Sequence, residues 1–327
     1  MGEVAARDRF EGCHAAAESG VSLASEVRAG LTSSPPTLPA KFLYDDAGCL
    51  LFDRICRTPE YYPTRTELEL LGEVAPAIAR ACEATELVEL GSGAARKTHV
   101  LLDALGARER RLRYVPFDVS RAAVEASAHR LLERYPRLTV RGLTGDFTRD
   151  LGHLAPARRR LVAFLGGTLG NLDDAEAAAF LRDAAGLLGE DGHLLVAADL
   201  VKDRRALEAA YNDVAGLTAA FNLNALARLA REFHASLELP AFAHDALFSE
   251  AHSRIEMHAR ARRATRVDVA RLAVRLELAA GASIRTEISR KFRPDQLERL
   301  LGEAGLELVR LDVAAVPYAL ALCRRRR

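Results

Sequence analysis

Two glycines, Gly91 and Gly93, directly follow the apolar run 87–90 and precede a stretch that predicts a helix. Glycines in such a turn let the backbone bend sharply and approach a ligand that a Cβ atom would obstruct. Dinucleotide-binding turns usually carry a third glycine three residues after the second, which brings pyrophosphate to the helix terminus. Arg96 occupies that position, and the acidic Glu89 precedes the turn. The turn therefore favours a nucleoside cofactor without pyrophosphate over a nicotinamide dinucleotide.

Two aspartates stand where further strands are predicted to end. Asp118 closes the run 114–117, and Asp146 follows the run 138–143 with Phe147 beside it. One such carboxylate can accept hydrogen bonds from ribose hydroxyls, and another can accept from an adenine amino group. Either aspartate alone is explained more simply as the N-cap of a following helix. Three signals at successive strand ends favour a ligand site at one edge of a sheet.

Apolar strands alternate with helices from residue 87 to residue 198. The predicted strands are residues 87–90, 114–117, 138–143, 161–165 and 193–198, and the predicted helices are residues 95–105, 121–135 and 173–188. This alternation implies a parallel sheet with right-handed crossovers. A predicted helix over 294–304 and strands over 306–311 and 318–322 resemble the end of a methyltransferase sheet. The acid before the glycine turn resembles the first motif of class I methyltransferases, so we expect an α/β fold with a Rossmann-like class I methyltransferase domain that binds S-adenosyl-L-methionine.

The remaining segments predict a second, smaller α+β domain. The elements predicted before residue 84 are a short helix within the first thirty residues, a loop over 32–39, a turn and short helix within 41–60, and a long helix from Thr64 or Thr66 to near Glu83. The elements predicted after residue 202 are a helical stretch over 206–233 with a break near Phe221 and Asn222, and one small antiparallel sheet from runs 253–262, 269–279 and 282–289. Residues 66–202 and 292–327 are the predicted cofactor domain, and residues 1–65 and 203–291 are the predicted substrate domain.

Composition and charge exclude several classes of protein. Hydrophobic residues make up 49% of the 327, and 46 Lys plus Arg against 45 Asp plus Glu give a formal net charge of +1. Such a balance creates no strong positive electrostatic field that would attract a polyanion, so nucleic acid is not predicted as a partner. The five cysteines lack zinc or disulfide spacing, and no unbroken apolar run reaches the ~18 residues of a membrane span. We expect a soluble, cytoplasmic monomer without a metal site or membrane contact.

Ten short motifs occur along the chain, and together they resemble one known family. They are KFLYDDAGCLLFD, TPEYYPTRTE, VELGSGAARKT, VPFDVS, TGDF, FLGGTLGNL, DLVKD, IEMHARA, IRTEIS and KFRPDQ. In order and spacing they resemble the L-histidine Nα-methyltransferases of ergothioneine biosynthesis, which trimethylate histidine to hercynine. The resemblance covers about residues 40–310, and its EYYPTRTE run is far more specific than any glycine turn.

The resemblance implies a set of cofactor contacts. These fall on Gly91, Lys97, Asp118, Asp146 and Phe147. Lys97 would pair with the methionine carboxylate of S-adenosylmethionine, although without the resemblance it would be interpreted as an ordinary surface lysine.

The resemblance also implies contacts to the amino-acid part of a histidine substrate. Tyr61, Asn171 and Tyr211 would hold its carboxylate, and Gly166 would lie at the same site. Asn171 would also orient the α-amine with help from Tyr44, so Tyr44 and Asn171 are the predicted catalytic residues. Each tyrosine taken singly is explained equally well as a half-buried aromatic residue.

Glu287 and Ser289 would bind the imidazole ring, with Met257 beside it. The two polar residues are two positions apart in a predicted strand and so face the same side. A carboxylate accepts from one imidazole nitrogen, and a hydroxyl can donate to or accept from the other. Without the resemblance, a polar sheet face is the simpler interpretation of this pair.

Two features depart from the family pattern, and other functions stay open. Gly167 stands where a serine is expected, and the carboxy-terminal segment is short and lacks tryptophan. A methyltransferase for another amino acid such as tryptophan should lose Glu287 or Met257, and both are present. A catalytically silent cofactor-binding protein would not need Asn171 and the imidazole pair, and Arg96 disfavours a nicotinamide oxidoreductase.

Overall fold

The computed structural model describes residues 9–15, 22–93, 95–108 and 111–326. These residues divide into two compact units. The first unit contains the described parts of 1–19, 66–200 and 292–327, and the second contains those of 20–65 and 201–291. The predicted boundaries at 65/66, 202/203 and 291/292 lie within two residues of these. The segment 10–15 is the exception, because it belongs to the first unit and not to the predicted substrate domain. The roles assigned to the two domains stay predictions.

The secondary structure follows the chain in this order. The helices are α1 (Leu23–Leu31), α2 (Asp46–Ile55), α3 (Tyr62–Cys82), α4 (Thr98–Gly106), α5 (Arg121–Arg134), α6 (Asp174–Gly186), α7 (Arg204–Ala209), α8 (Leu217–Phe233) and α9 (Pro294–Glu303). The strands are β1 (Phe10–Ala15), β2 (Glu86–Leu90), β3 (Arg113–Asp118), β4 (Thr139–Thr144), β5 (Arg160–Phe164), β6 (His193–Asp199), β7 (Ala235–Ser236), β8 (Phe242–Ser249), β9 (Arg254–Ala261), β10 (Thr265–Val269), β11 (Val274–Leu278), β12 (Ser283–Arg290), β13 (Leu306–Val313) and β14 (Tyr318–Arg325). Within the described part of the chain, no helix is both long and apolar enough to cross a membrane.

An eight-stranded sheet forms the framework of the first unit. Its order is β1-β4-β3-β2-β5-β6-β14-β13, and all neighbours pair in parallel except β14, which is antiparallel to both β6 and β13. Successive residues of a strand alternate between two apolar clusters: Leu87 belongs to one, and Val88 belongs to the other. The central strands are therefore buried on both faces, which explains why their sequences are continuously apolar. The predicted α/β fold with a parallel sheet is confirmed.

The second unit contains two antiparallel sheets, not the single one predicted. One has the order β12-β9-β8 and the other the order β11-β10-β7. The strands β8 and β10 were not predicted, and the predicted run 269–279 is shortened to β11. In β8 (FAHDALFS) buried residues do not alternate regularly with exposed ones, so the sequence lacks the period of two by which a strand is recognised.

The short helix predicted within the first thirty residues corresponds to α1, whereas residues 10–15 form the strand β1, which was not predicted. This strand pairs in parallel with β4. Next to it, the Arg9 guanidinium donates to the carbonyl oxygens of Leu132, Tyr135 and Leu138 at 2.9, 2.8 and 3.1 Å. A tertiary partner thus overrides the helix propensity of local alanines.

The predicted helical break near Phe221 and Asn222 is also misplaced. The chain leaves helix between α7 and α8, where Gly216 has a φ of +69°. The Asp213 carboxylate accepts from the backbone N–H of Leu217 and Thr218 at 2.8 and 2.7 Å, which fixes the start of α8. Asn222 stays helical because its side-chain amide is hydrogen-bonded elsewhere in the unit.

Candidate active site

The glycine turn lies at the carboxyl end of β2, where the strand order reverses between β2 and β5. Gly91 and Gly93 have φ angles of +71° and +47°, which L side chains rarely adopt. A Cβ on Gly91 would lie 3.3 Å from Cε1 of Phe147, so this ring packs directly against the glycine. The structure therefore brings two predicted cofactor residues together at the crevice where open α/β sheets bind ligands.

Asp118 ends β3 and supports the same turn. Its Oδ2 accepts from the Gly93 N–H at 2.8 Å, and its Oδ1 accepts from the Ser120 N–H at 3.0 Å. The N-cap of α5 is Ser120, whose hydroxyl accepts from the Ala123 N–H at 3.3 Å. The alternative interpretation of Asp118 as the cap is therefore wrong. Since each carboxylate oxygen can accept more than one hydrogen bond, Asp118 can also accept from ligand hydroxyls.

Asp146 follows β4 and organises its own loop. Its Oδ1 accepts from the Thr148 N–H and hydroxyl at 2.9 and 2.6 Å, and its Oδ2 lies 3.3 Å from Nη2 of Arg149. This local bonding agrees with the cap-like alternative for Asp146. The neighbouring Phe147 packs edge-on against Phe164, with ring centroids 5.3 Å apart. A role for Asp146 and Phe147 at adenine stays a prediction.

Glu89, the acid before the glycine turn, is buried and ties the turn to the following helix. Its Oε2 accepts from the Thr98 hydroxyl at 2.5 Å and from the Tyr114 hydroxyl at 2.7 Å. Burial raises the pKa of the Glu89 carboxyl to about 7, although these two hydrogen bonds act in the opposite direction. Because Thr98 begins α4, Glu89 fixes the chain on both sides of the glycines.

A second buried carboxylate, Glu67, joins several predicted site residues. It ends the EYYPTRTE motif, is 1% exposed, and forms an ion pair with Lys97. Its oxygens accept from the Gly166 N–H at 2.8 and 3.0 Å and from the Tyr318 hydroxyl at 2.8 Å. The predicted cofactor residue Lys97 and the predicted substrate residue Gly166 therefore share one carboxylate.

The segment after β5 explains why glycine replaces the expected serine at position 167. Gly166 and Gly167 have φ angles of +81° and +67°. A Cβ at position 167 would lie 3.3 Å from the Tyr318 hydroxyl oxygen. A side chain there would be strained by the backbone and would crowd Tyr318. The following 3-10 turn, Thr168–Asn171, places Asn171, which is half-buried, at its end.

An aromatic cluster in the second unit contains the three predicted substrate tyrosines. Tyr44 packs edge-on against Phe52 and Phe221, with ring centroids 5.5 and 5.3 Å away. Tyr61 packs edge-on against Phe52 and Tyr211, with ring centroids 5.9 and 6.1 Å away. Such edge-to-face pairs stabilise a fixed ring orientation, so the structure brings Tyr44, Tyr61 and Tyr211 together.

Burial raises the pKa of the Tyr44 and Tyr61 hydroxyls well above the ordinary value of 10.0. The negative charge of Glu287 raises the pKa of Tyr44 further. Both phenols therefore stay protonated at neutral pH. They can donate hydrogen bonds, but neither can act as a base.

The predicted imidazole residues come together on two paired strands. Glu287 and Ser289 share a face of β12, and Met257 pairs with Glu287 from β9. A register shift just before Glu287 leaves Thr286 as the extra residue of a bulge. The Thr286 hydroxyl hydrogen-bonds the Asn222 side chain and donates to the Met257 carbonyl oxygen at 3.1 Å. Bulges often redirect side chains next to binding sites, and this one sets the face that Glu287 and Ser289 share.

Three buried polar residues support these groups and were missed by sequence reasoning: Glu67, Asn222 and Lys291. Each interrupts or borders an apolar stretch, and Lys291 begins the KFRPDQ motif. A buried polar side chain requires hydrogen-bond partners. A polar residue at a position that the apolar periodicity predicts to be buried is therefore a sequence signal by which these three residues could have been found.

The strand order and the site define the class of protein. The strand order reverses between β2 and β5, the antiparallel strand β14 lies beside β6, and a glycine turn preceded by an acid lies at the reversal. This is the architecture of class I methyltransferases that use S-adenosylmethionine. The predicted methyltransferase domain is confirmed.

Comparison with known proteins identifies the family. The sequence pattern of the family described as "Histidine-specific methyltransferase, SAM-dependent" matches residues 23–322. The chain belongs to this family, and its cofactor is S-adenosylmethionine. The resemblance inferred from the ten motifs is confirmed.

Individual relatives are similar over most of the chain. A Mycolicibacterium smegmatis protein named "Histidine N-alpha-methyltransferase" is 46% identical over 292 residues, which are 89% of this chain and 91% of that protein. A Mycobacterium tuberculosis protein of the same name is 43% identical over 290 residues, or 89% and 90% of the two chains. "Ergothioneine biosynthesis protein 1" of Neurospora crassa is 32% identical over 197 residues, which are 59% of this chain and 22% of that protein.

Proposed function

We propose that the protein transfers methyl groups from S-adenosylmethionine to the α-amine of L-histidine, three times, and so forms hercynine for ergothioneine biosynthesis. The observation that carries the proposal is the pair Glu287 and Ser289, buried on one face of β12 beside Met257. A carboxylate and a hydroxyl two positions apart suit a ring with two nitrogens. The two relatives named for histidine Nα-methylation, at 46% and 43% identity, support the same substrate.

Residues of the first unit would hold S-adenosylmethionine, which supplies a methyl group on a positively charged sulfur. Gly91 bends the backbone at the strand reversal with a positive φ, and Asp118 keeps lone pairs for ribose hydroxyls. Asp146 and Phe147 would contact adenine. Lys97 has three N–H donors, so it can pair with the methionine carboxylate while it stays bonded to its buried carboxylate partner.

The reacting amine must be neutral, and the protein needs no strong base to make it so. An α-amine has an ordinary pKa of ~8, so water can take the proton before each transfer. Tyr44 stays protonated because it is buried, so it would orient the amine as a hydrogen-bonding group together with Asn171. Alignment of nitrogen, methyl carbon and sulfur is the main source of rate, worth up to ~7–11 kcal/mol in favourable cases.

The substrate carboxylate would be held by hydroxyl and amide groups. Tyr61 and Asn171 would donate to it. Tyr211, which packs against Tyr61, has one O–H and donates it to Ser289 at 2.8 Å, so it would contribute packing and not a hydrogen bond to the carboxylate. Gly166 would lie at the same site, and its φ of +81° is one that residues with a side chain rarely adopt. Burial keeps the Tyr61 phenol protonated, which is the state that a carboxylate requires of a donor.

We also propose that the protein acts as a cytoplasmic monomer. Its five cysteines lack the spacing of a zinc site or a disulfide framework, which suits a reducing compartment. Burial raises the pKa of Cys82 and Cys323 to about 12, so these two thiols are unreactive. Light scattering of the purified protein tests the monomeric state.

The proposed function is tested with a mixture of all twenty amino acids and S-adenosylmethionine. Mass spectrometry should detect trimethylated histidine, with phenylalanine and leucine rejected by ~10⁴-fold because they would leave the buried polar pair without partners. Glu287→Ala should raise KM for histidine and relax selectivity toward tryptophan. Glu277→Ala, an exposed glutamate of β11, is the matched control. A wild-type preference for tryptophan, or full histidine preference in Glu287→Ala, would contradict the proposal.

A further inference from the structure

A buried lysine stands beside the predicted imidazole pair. Lys291 follows β12 directly and is 2% exposed. Its Nζ donates to Ser289 Oγ at 2.8 Å and to the Tyr211 hydroxyl at 3.1 Å, and lies 4.9 Å from the centre of the Tyr211 ring. The Tyr211 hydroxyl in turn donates to Ser289 Oγ at 2.8 Å. The three side chains form a closed triangle of hydrogen bonds.

This triangle determines what Ser289 can offer to a ligand. A serine hydroxyl has two acceptor lone pairs and one donor hydrogen. Lys291 and Tyr211 occupy both lone pairs of Ser289, so its O–H remains for the ligand. Glu287 carries a carboxylate, which only accepts when it is ionised. The pair therefore presents one acceptor and one donor, and the two cannot exchange roles.

We propose that Lys291 and Tyr211 fix Ser289 as a hydrogen-bond donor, so that the protein accepts the neutral imidazole of histidine and rejects the imidazolium. The inference rests on the proposed function, in which Glu287 and Ser289 bind the imidazole. A neutral imidazole has one N–H, which suits Glu287, and one bare nitrogen, which suits the Ser289 O–H. An imidazolium has two N–H groups, and the second would meet the serine O–H with no lone pair to receive it. Lys291 is thus a positioning residue that acts through Ser289.

The test is a competition between histidine and carbon-linked triazolylalanine. The triazole keeps both imidazole nitrogen positions but stays neutral over the range of the assay. In one vessel, the ratio of methylated products gives the ratio of the two kcat/KM values. Effects of pH on the protein, the cofactor and the α-amine act on both competitors and cancel.

The expected change follows from the ordinary imidazole pKa of about 6.5. About nine-tenths of the imidazole is neutral at about pH 7.5, but only about a tenth at about pH 5.5. The ratio of histidine to triazolylalanine product should therefore fall about tenfold over this range, because apparent affinity scales with the competent fraction. A ratio that does not change with pH would overturn the inference.

Two variants test the positioning residues. Lys291→Met frees one lone pair of Ser289, so the serine can accept from an imidazolium and the fall in the ratio should become several-fold smaller. Tyr211→Phe frees the other lone pair and should act in the same way, which keeps the test available if Lys291→Met does not fold. Any loss of contact to the substrate carboxylate in Tyr211→Phe affects both competitors alike. Lys41→Met, a lysine paired with Glu26 at 2.6 Å, should keep the full tenfold fall.

The outcomes separate this inference from the proposed function. A full tenfold fall in both Lys291→Met and Tyr211→Phe would show that these residues do not set the polarity of Ser289, and would overturn the inference. Methylation of histidine with a pH-independent ratio would overturn the inference and leave the proposed function standing. Failure to methylate either competitor at any pH would instead contradict the proposed function.

Discussion

The buried acid of the glycine turn should make the stability of this protein depend on pH in a defined direction. Burial raises the pKa of Glu89 from 4.5 to about 7. The folded state therefore holds this proton more tightly than the unfolded state. The contribution to stability is fully present below about pH 4.5 and is lost as the pH rises through about 7.

The magnitude follows from the size of the shift. Each pKa unit corresponds to ~1.4 kcal/mol, so a shift of between two and three units corresponds to about 3 kcal/mol. Glu89→Gln keeps the shape and can accept the hydrogen bonds of Thr98 and Tyr114, but it does not titrate. The free energy of unfolding of the wild type, relative to Glu89→Gln, should fall by up to about 3 kcal/mol between about pH 4.5 and about pH 8.

Urea unfolding followed by circular dichroism at several pH values measures this difference. Comparison with the variant cancels the titration of other groups. Glu190→Gln is the control, since Glu190 is exposed and pairs with exposed Arg158, and such pairs contribute only ~0–1 kcal/mol. A flat difference between wild type and Glu89→Gln would refute the reasoning. A difference that rises with pH would show that the two hydroxyl donors outweigh burial.

Three further changes test the first unit. Asp118→Ala should weaken S-adenosylmethionine roughly ten- to hundredfold by loss of charge-assisted hydrogen bonds of ~1.5–3 kcal/mol each, and an unchanged Kd in calorimetry would limit Asp118 to supporting the turn. Gly167→Ser should lower the free energy of unfolding by ~1–3 kcal/mol, because φ at this position is +67° and the new Cβ would lie 3.3 Å from the Tyr318 hydroxyl. Thermal unfolding measures this loss. Gly72→Ser is the control, since a Cβ at position 72 would meet nothing within 4 Å. Glu67→Gln should lower the free energy of unfolding by ~3–5 kcal/mol because it breaks a buried ion pair. If it lowered the free energy of unfolding by less than Tyr318→Phe does, the ion pair with Lys97 would not be the main contribution of Glu67.

The parallel sheet was predictable because each of its central strands is buried on both faces. Runs such as 161–165 and 194–198 are continuously apolar, and their alternation with helices leaves few possible topologies. The strand β1 could not be predicted in this way. Its residues form a strand only because β4, far along the chain, provides a hydrogen-bonding partner. Local propensity does not depend on that partner and therefore could not indicate this strand.

The candidate site was predictable where topology alone places a residue. Asp118 and the glycine turn follow parallel strands, whose carboxyl ends must share one edge of the sheet. The pairing of Glu67 with Lys97 depends on how α3 packs, and the triangle at Ser289 depends on a hydroxyl from Tyr211, 78 residues away. These contacts cannot be inferred from the spacing of residues in the sequence. Only the structure therefore indicates that Glu287 accepts a hydrogen bond and that Ser289 donates one.

The irregularities in the two outermost strands of the large sheet have a consequence for solubility. A regular edge strand exposes a row of unpaired backbone groups that can recruit strands from other molecules. Here β1 has a register shift around Gly12, and β13 has one before Arg310, whose guanidinium pairs with Asp312 along the same edge. Both edges are thereby made poor templates for aggregation. The strand β1 also covers β4, so a shortened chain that lacks the first twenty residues would present β4 as a new edge and should self-associate more readily.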